Sequence, residues 1–276
     1  MDGELPWDEA GKPGAVPATH PAARFQLPLR IKQCICKEAF CMQKNAASRD
    51  KTLYSTPFSK AYWIQAASEF KRLDVLIFAA LMIALRVALK SLSIPIAANL
   101  RINVAFFINA FGAMVFGPVV AIAAAAVSDT LGFLLFPSGP YFFPFIFIEI
   151  AGSLIFALFL YRTEVTALRV TLSRFCIDFF VNIVLNTPVM WLYYQMMMGK
   201  TYKIFDALRI VKNLVMFPIE SVLLVLFLRV VIPPAQKLGF LYSGVDKLRF
   251  TKKNIIFLAV MTAVGIAAVA LYVALK

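Results

Sequence analysis

The stretch INVAFFINAFGAMVFGPVVAIAAAAVSDTLGFLLF, residues 102–136, contains two apolar runs separated only by Gly117-Pro118. Proline supplies no backbone N–H and restricts the residue before it, so this dipeptide breaks a helix. Apolar runs of about 18 residues are typical of membrane helices, because roughly 20 helical residues cross the ~30 Å hydrocarbon layer. We therefore predict a tight hairpin of two membrane helices, residues 102–116 and 119–136.

Five further apolar runs flank this hairpin. None shows the alternation of a barrel strand, and a helix satisfies its own backbone hydrogen bonds in lipid. Hydrophobic residues form 61% of the 276-residue chain, which is more than a soluble domain carries. We predict an all-α integral membrane protein, a six-transmembrane-helix bundle with an extra seventh C-terminal helix. The flanking runs cover about residues 73–92, 141–161, 175–198, 210–232 and 255–275. Breaks are expected at Ser93-Ile94-Pro95, Pro137-Ser138-Gly139-Pro140 and Pro233-Pro234.

The apolar runs also divide the chain into segments. Residues 1–60 are polar and proline-containing, without a sustained helical period, so we expect a disordered tail. The tail lacks the compact apolar core of a signal peptide, and Met42 offers an alternative start. The remaining predicted segments are the membrane domain at 70–235, a basic cytoplasmic linker at 236–253 and the added transmembrane helix at 254–276.

The formal charge of +13 would suggest a nucleic-acid partner in a soluble protein. Here the cations lie mostly between apolar runs, as in membrane proteins, so we predict no nucleic-acid partner and a multi-pass cell-membrane protein. The positive-inside rule places the N-terminus in the cytoplasm and the C-terminus outside. The cations assigned to the cytoplasmic side are Lys71, Arg72, Arg162, Arg169, Arg174, Arg229, Lys237, Lys247, Arg249, Lys252 and Lys253.

A minority of cations falls on the opposite side. Arg209 and Lys212 are three residues apart and so share one helix face, and Arg101 follows the first span. These three lie beside aromatic and proline-containing loops, where they could hold an anionic aromatic ligand through directional, charge-assisted hydrogen bonds. Interfacial snorkelling is the alternative, and it stays open for Lys200 and Lys203.

Polar residues inside the spans are candidates for the same pocket, because they are costly in lipid. Asn182 and Asn186 are four residues apart on one face, and Asn213 adjoins Lys212. Structural hydrogen bonds between helices are the alternative, and we prefer that interpretation for Asn109 and Asp178. Asp129 and Glu149 could form a carboxylate pair, but no spacing shows that they meet.

Ala80, Ala84 and Ala88 recur every four residues on the first span and form a small-residue stripe. Such a stripe permits close helix approach. It serves either packing within the bundle or docking to a partner membrane protein, and spacing does not choose between these.

Catalytic motifs are absent from the sequence. Gly199-Lys200-Thr201 resembles the end of a phosphate-binding loop, but Tyr194 stands where its first glycine belongs, so we expect no ATP hydrolysis by this chain alone. The only histidine, His20, lies in the predicted tail, so we expect no Ser-His-Asp or Cys-His arrangement. Cys34-Ile-Cys36 does not have zinc-ligand spacing. We predict a protein that is not an enzyme and has no metal and no cofactor.

The order of several short motifs resembles the substrate-binding S components of energy-coupling factor (ECF) transporters, and most closely the folate-specific branch. The resemblance covers about residues 70–235. The motifs are Phe116-Gly117-Pro118-Val119, Asp129-x-x-Gly132-Phe133, Phe136-Pro137-Ser138-Gly139-Pro140-Tyr141-Phe142 and Arg209-x-x-Lys212-Asn213-x-x-Met216-x-Pro218-Ile219-Glu220.

This resemblance implies six helices around an outward-facing vitamin pocket that is capped by loops. It also implies a complex with a transmembrane coupling protein and two cytoplasmic ATPases, and transport by tipping in the membrane. The residues that it assigns to the closing loop are Pro137, Gly139, Tyr141 and Phe142. Those that it assigns to the pocket wall are Arg209, Lys212 and Asn213, with Arg101 as a matching basic position and the alanine stripe as the coupling-protein surface.

The outside cations favour an anionic ligand such as folate, whose glutamate carries two carboxylates. Aromatic side chains would stack on its rings and amides would contact its pterin edge. Thiamine, riboflavin or another small vitamin is the alternative within the family. A non-transport integral membrane protein is the alternative outside it.

Overall fold

The computed structural model describes residues 53–54, 57–90, 92–97, 100–137, 140–199, 207–241, 248 and 252–274. Most of the predicted N-terminal tail and part of the predicted basic linker therefore lie outside the described residues. At the described end of the tail the predicted disorder is wrong, because the Tyr54 backbone N–H donates to the Arg162 carbonyl at 2.9 Å and Lys60 begins a helix. The helices are α1 (Lys60–Glu69), α2 (Leu73–Lys90), α3 (Ala105–Leu135), α4 (Phe145–Leu160), α5 (Ala167–Met198), α6 (Ala207–Lys237) and α7 (Lys252–Ala274). The strands are β1 (Ser93–Ala97) and β2 (Leu100–Asn103).

The predicted hairpin is confirmed, because α3 folds back on itself at Gly117. Asn109 and Asp129 would lie about 30 Å apart on a straight helix. Instead Arg86 Nη1 donates to Asn109 Oδ1 at 3.1 Å, while Lys90, one turn further along α2, lies 3.1 Å from Asp129 Oδ1. The first arm, residues 105–116, and the second arm, residues 118–135, therefore run side by side.

Gly117 makes this reversal possible. Its φ of 75° lies in the left-handed region, where a side chain is strained. A Cβ at Gly117 would also lie 2.8 Å from Tyr161 Cζ, so the aromatic ring packs directly on the turn. The following Pro118 then starts the second arm.

The helix α1, which the sequence analysis did not predict, covers this end of the bundle. Ser59 caps it by accepting a hydrogen bond from the Tyr62 backbone N–H at 3.2 Å. The Tyr62 hydroxyl donates to the Ala157 carbonyl at 3.2 Å, and burial raises the Tyr62 pKa. Glu69 Oε1 lies 3.1 Å from Arg162 Nη2, and both side chains are buried. The charge pattern assigned Arg162 to the cytoplasmic side, which stays a prediction; the structure adds that its charge is neutralised by Glu69 inside the fold.

A short β-hairpin follows α2. β1 and β2 pair antiparallel, with Ile94 opposite Ile102 and Pro95 opposite Arg101. Ser93-Ile94-Pro95 ends the first helix, as predicted. The chain then forms a β-hairpin, which tolerates Pro95 because this residue removes only one backbone donor from the ladder.

The helix α5 starts earlier than predicted, at Ala167, because the Thr166 side chain accepts from the Arg169 backbone N–H at 3.3 Å. Two stretches of it, Ile177–Leu185 and Tyr194–Met198, have the wider π-helical turn. It ends at Gly199, whose φ is 61°.

The helix α6 runs through Pro233-Pro234 to Lys237, so the prediction that these prolines close it is wrong. The fixed φ of proline is compatible with a helix, although each ring removes one backbone donor and crowds the carbonyl four residues earlier. The helix stops where Gly239 adopts a φ of 77° and Phe240 N–H bonds back to the Ala235 carbonyl at 2.9 Å. Phe240 then stacks on Phe78 of α2 with ring centroids 4.4 Å apart.

The helix α7 packs on α6 through Gly265. A Cβ there would meet Ile219 Cγ1 at 2.8 Å and Pro218 Cγ at 3.4 Å, so a side chain at this position would force Ile219 to shift. The sides of α7 away from this contact are exposed and apolar, as shown by Val260, Val264 and Ile266.

Within the described residues, four helices are long and apolar enough to span a membrane: Ala105–Leu135, Ala167–Met198, Ile210–Lys237 and Lys253–Leu271. Phe145–Leu160 is apolar but shorter. The core between the helices is built from large buried side chains, including Met114, Phe156, Leu160, Leu224 and Leu228. The predicted class, a helical membrane protein, is confirmed.

Candidate functional site

A cavity lies among the helices and has two chambers. The polar chamber has a volume of about 400 Å³ and the aromatic chamber about 440 Å³. Both volumes are in the range of small-molecule sites. The two chambers meet at shared lining residues, which are Lys90, Asp129, Ile148 and Glu149.

At the junction of the chambers, two cations of α2 are held by polar partners from α3 and α4. Arg86 forms an ion pair with Glu149 and donates to Asn109, which also accepts from Ser153 Oγ at 2.7 Å. Lys90 pairs with Asp129 of the second arm of α3. Each cation is thus neutralised, and the pairs fix the positions of three helices around the cavity.

Gly132, one turn after Asp129 on α3, leaves space for the Lys90 side chain. A Cβ at Gly132 would lie 2.8 Å from Lys90 Cδ, so the bare backbone of this residue leaves room for the lysine chain to pass.

A buried ionic cluster lies on another side of the polar chamber. Arg174 pairs with Glu220 of α6, and its Nη2 lies 3.1 Å from Asp178 Oδ1 on its own helix. Asn182 Nδ2 donates to the same Asp178 oxygen at 2.9 Å. The guanidinium carbon of Arg174 also lies 4.8 Å from the centre of the Phe106 ring. A charged guanidinium with two carboxylate partners is well compensated in a low-dielectric interior.

Lys212 and Asn213 of α6 complete the polar chamber. Lys212 is half-buried, and no acidic partner is found for it among the residues that the structure describes. Of the described cations that line the chamber, it is the one whose charge is available to an incoming anion.

The aromatic chamber is built by packed rings. Tyr141 lies with its ring centroid 4.9 Å from that of Phe133, and Tyr193 contacts both Phe142 and Phe145 at 5.6 and 5.5 Å. Phe142 is buried, whereas Tyr141 is 39% exposed at the rim. Asn186 and Met190 line the same chamber from α5. This lining suits a flat ring system with a polar edge.

The predicted site residues divide between the two chambers. Asn182, Lys212 and Asn213 line the polar chamber, and Tyr141, Phe142 and Asn186 line the aromatic chamber. Pro137 is exposed and lies outside both linings. Gly139 lies outside the described residues, and for Arg101 and Arg209 the structure describes the backbone alone, in β2 and α6. The stripe residues Ala80, Ala84 and Ala88 are exposed on α2.

Sequence reasoning missed most of the ionic lining. Arg86 was not considered, and the cation partners of Asp129 and Glu149 were not foreseen. The structural interpretation preferred for Asn109 is confirmed, because it accepts hydrogen bonds from Arg86 of α2 and Ser153 of α4. Asp129 and Glu149 do line both chambers, but each is paired with a different cation. Two cations one turn apart inside an apolar helix were the signal that could have found this site.

Arg174 requires a correction. The charge pattern assigned it to the cytoplasmic surface, but it is 7% exposed and lines the polar chamber beside Glu220. A helix that starts at Ala167 places Arg174 two turns inside the bundle, where the carboxylates of α5 and α6 neutralise it.

Apolar spans around a cavity with ionic and aromatic walls define a membrane-embedded protein that binds a small polar molecule. In the described part of the chain, no group of histidine, cysteine and acidic residues could hold a metal ion. The family model described as "ECF-type riboflavin transporter, S component" matches residues 72–235. The chain belongs to this family of ECF transporter S components, which are transport subunits and not enzymes.

Individual relatives carry folate names. The chain is 36% identical over 157 residues to the folate transporter FolT of Clostridium novyi (strain NT), covering 56% of this chain and 87% of that protein. It is 28% identical over 157 residues to FolT of Leuconostoc mesenteroides subsp. mesenteroides, covering 55% and 83%. A solved structure, "Crystal structure of FolT bound with folic acid", has 28% identity and a TM-score of 0.46, covering 54% of this chain and 88% of that chain.

Proposed function

We propose that this chain is the folate-binding subunit of an ECF transporter. The observation that carries the proposal is the position of Lys212, a cation without a described acidic partner, on the wall of a cavity that continues into an aromatic chamber. The names of the relatives at 36% and 28% identity support folate as the ligand.

The chemistry of folate fits the two chambers. Its pterin and benzoyl rings would occupy the aromatic chamber, where Tyr141, Phe142 and Asn186 offer ring faces and an amide. Its glutamate carboxylates would bind Lys212 and Asn213 in the polar chamber, with Asn182 nearby. We extend this site to Arg101 and Arg209 as further carboxylate partners and to Pro137 and Gly139 as part of the closing loop.

The transmembrane arrangement belongs to the same proposal. The two arms of α3 would count as separate spans, so that α2, both arms, α4, α5 and α6 form six spans within residues 70–235. The helix α7 would add a seventh span, with a basic cytoplasmic linker between it and α6. The location would be the cell membrane, with the N-terminus in the cytoplasm.

The partners would be a transmembrane coupling protein and two cytoplasmic ATPases, because this chain carries no phosphate-binding loop of its own. Ala80, Ala84 and Ala88 form an exposed small-residue stripe on α2, which supports close approach of a partner helix there.

Riboflavin is the second candidate ligand, because the matching family model carries its name. Its flat ring system would fit the aromatic chamber, but it lacks the carboxylates that Lys212 would bind. The two ligands therefore differ in how strongly they depend on this lysine.

Calorimetric titration of the purified protein, without ATP, tests the proposal. We expect stoichiometric folate binding that weakens by about 1.5–3 kcal/mol when Lys212→Ala removes a charge-assisted hydrogen bond. The control is Lys237→Ala, at an exposed position at the end of α6, which should leave the affinity unchanged. Tight riboflavin binding that Lys212→Ala does not affect, together with no folate binding, would favour the second candidate.

A further inference from the structure

The short helix α1 has two different faces, and only one of them is covered by the protein. Tyr62, Ala66 and Glu69 recur at the spacing of one helix face and are buried against the bundle. Trp63, Ile64 and Ala67 lie on the opposite side and are exposed, with Ile64 at 62%. This helix precedes the segment that matches the family model, which begins at residue 72.

The exposed side of α1 is part of a larger apolar patch. Phe58 before the helix and Phe70 after it are 92% and 45% exposed. Only three residues separate α1 from Leu73, the first residue of α2, which is itself exposed and leads into the exposed Ile77 of that helix. The patch is therefore continuous along the chain with the exposed apolar side of a helix that we propose as a membrane span.

The charges around this patch have one sign. Lys60 and Lys71 are exposed at the two ends of α1. Among the described residues, two carboxylates of α1 and the start of α2 are already paired: Glu69 is buried with Arg162, and Asp74 lies 2.7 Å from Arg72 Nη2. Aromatic and aliphatic side chains flanked by lysines are the composition of helices that lie in the membrane interface.

We propose that the exposed face of α1 binds the headgroup–acyl boundary of the bilayer and prefers a leaflet that contains anionic lipid. Trp63, Ile64 and Phe58 insert beside the start of α2, and Lys60 and Lys71 contact lipid phosphates. The opposite face stays docked on the bundle through Tyr62 and Glu69, so α1 joins the protein to the membrane surface at this end.

The test uses Trp63 as a depth probe in the full chain. The chain has three tryptophans, so Trp7→Phe and Trp191→Phe together leave Trp63 as the only one. The protein is placed in nanodiscs of phosphatidylcholine and phosphatidylglycerol in equal parts, with bromine on the acyl chains either near the headgroup or near the methyl end. Because interfacial helices lie about 5–10 Å below the headgroups, headgroup-proximal bromine should reduce Trp63 emission about twofold, and more than methyl-end bromine.

Equal emission in brominated and unbrominated discs would overturn the proposal, since Trp63 would then be covered by protein or by water. Stronger quenching from the methyl end would overturn it too. A second comparison tests the charge: in discs of phosphatidylcholine alone the quenching should fall, and the Lys60→Gln, Lys71→Gln double variant should show the same quenching in both lipids. If the protein that keeps Lys60 and Lys71 shows the same quenching with and without phosphatidylglycerol, the anionic preference is overturned.

Discussion

Lys90 and Asp129 form an ion pair, with Nζ 3.1 Å from Oδ1, that joins α2 to the second arm of the α3 hairpin at the point where the two chambers meet. The Asp129 side chain is 10% exposed and that of Lys90 35%. The pair thus lies partly inside the bundle, where unpaired charges are costly.

Breaking this pair should destabilise the bundle. Lys90→Met and Asp129→Asn should each lower the thermal unfolding temperature in detergent, because each leaves its former partner uncompensated. The double variant should be less destabilised than the sum, with a coupling free energy of about 0.5–3 kcal/mol. Lys237→Met, at an exposed position, is the control. Strict additivity of the two single variants would show that the pair contributes nothing.

The hairpin turn should not tolerate a side chain. Gly117→Ala forces alanine into a positive φ and against the Tyr161 ring, so we expect a loss of about 1–3 kcal/mol in unfolding free energy. Gly152→Ala is the matched control, because a Cβ there meets no atom within 4 Å. Both can be compared by thermal unfolding. Equal behaviour of the two variants would contradict the packing of Tyr161 on the turn.

The aromatic chamber should contribute to ligand affinity. Phe142→Ala removes a buried ring that packs on Tyr193, and we expect folate binding to weaken by about 0.5–1.5 kcal/mol. Phe143→Ala changes the neighbouring ring, which is 57% exposed, and should have little effect. Titration calorimetry measures the folate affinity of both variants. A larger effect at Phe143 would place the ligand elsewhere.

The contact between α6 and α7 should depend on Gly265. Gly265→Leu places a large side chain where a Cβ alone would lie 2.8 Å from Ile219 Cγ1, and overpacking of this kind costs about 1–3 kcal/mol. Ala263→Leu, on an exposed side of the same helix, controls for the change in composition. If thermal unfolding shows equal stability for the two, α7 is held by contacts other than Gly265.

The apolar architecture could be predicted because it depends on local composition. Apolar runs and the Gly117-Pro118 break are local signals that depend on neighbouring residues. The predicted boundaries of the hairpin and the predicted starts of α2 and α7 therefore lie within three residues of the observed ones. The run through Pro233-Pro234 was missed because contacts with neighbouring helices can compensate a helix that has lost two donors.

The ionic lining of the cavity depends on contacts between distant segments. The ion pairs Arg86–Glu149 and Arg174–Glu220 join residues of four different helices, so they form only when these helices have assembled. The cation that lacks a described partner, Lys212, could be selected from the sequence because its position runs against the usual charge bias of membrane loops. The helix α1 was missed because it is short and has polar residues on both sides of its apolar positions.

The buried pair of Glu69 and Arg162 sets an order for biosynthesis. The two residues are separated by 93 positions, so the Glu69 carboxylate leaves the ribosome long before the Arg162 guanidinium exists, with only Arg72 beside it at 3.4 Å. At about 5–20 residues per second the delay is on the order of ten seconds. The contact that docks α1 on the bundle through this pair can therefore form only after α4 has been synthesised.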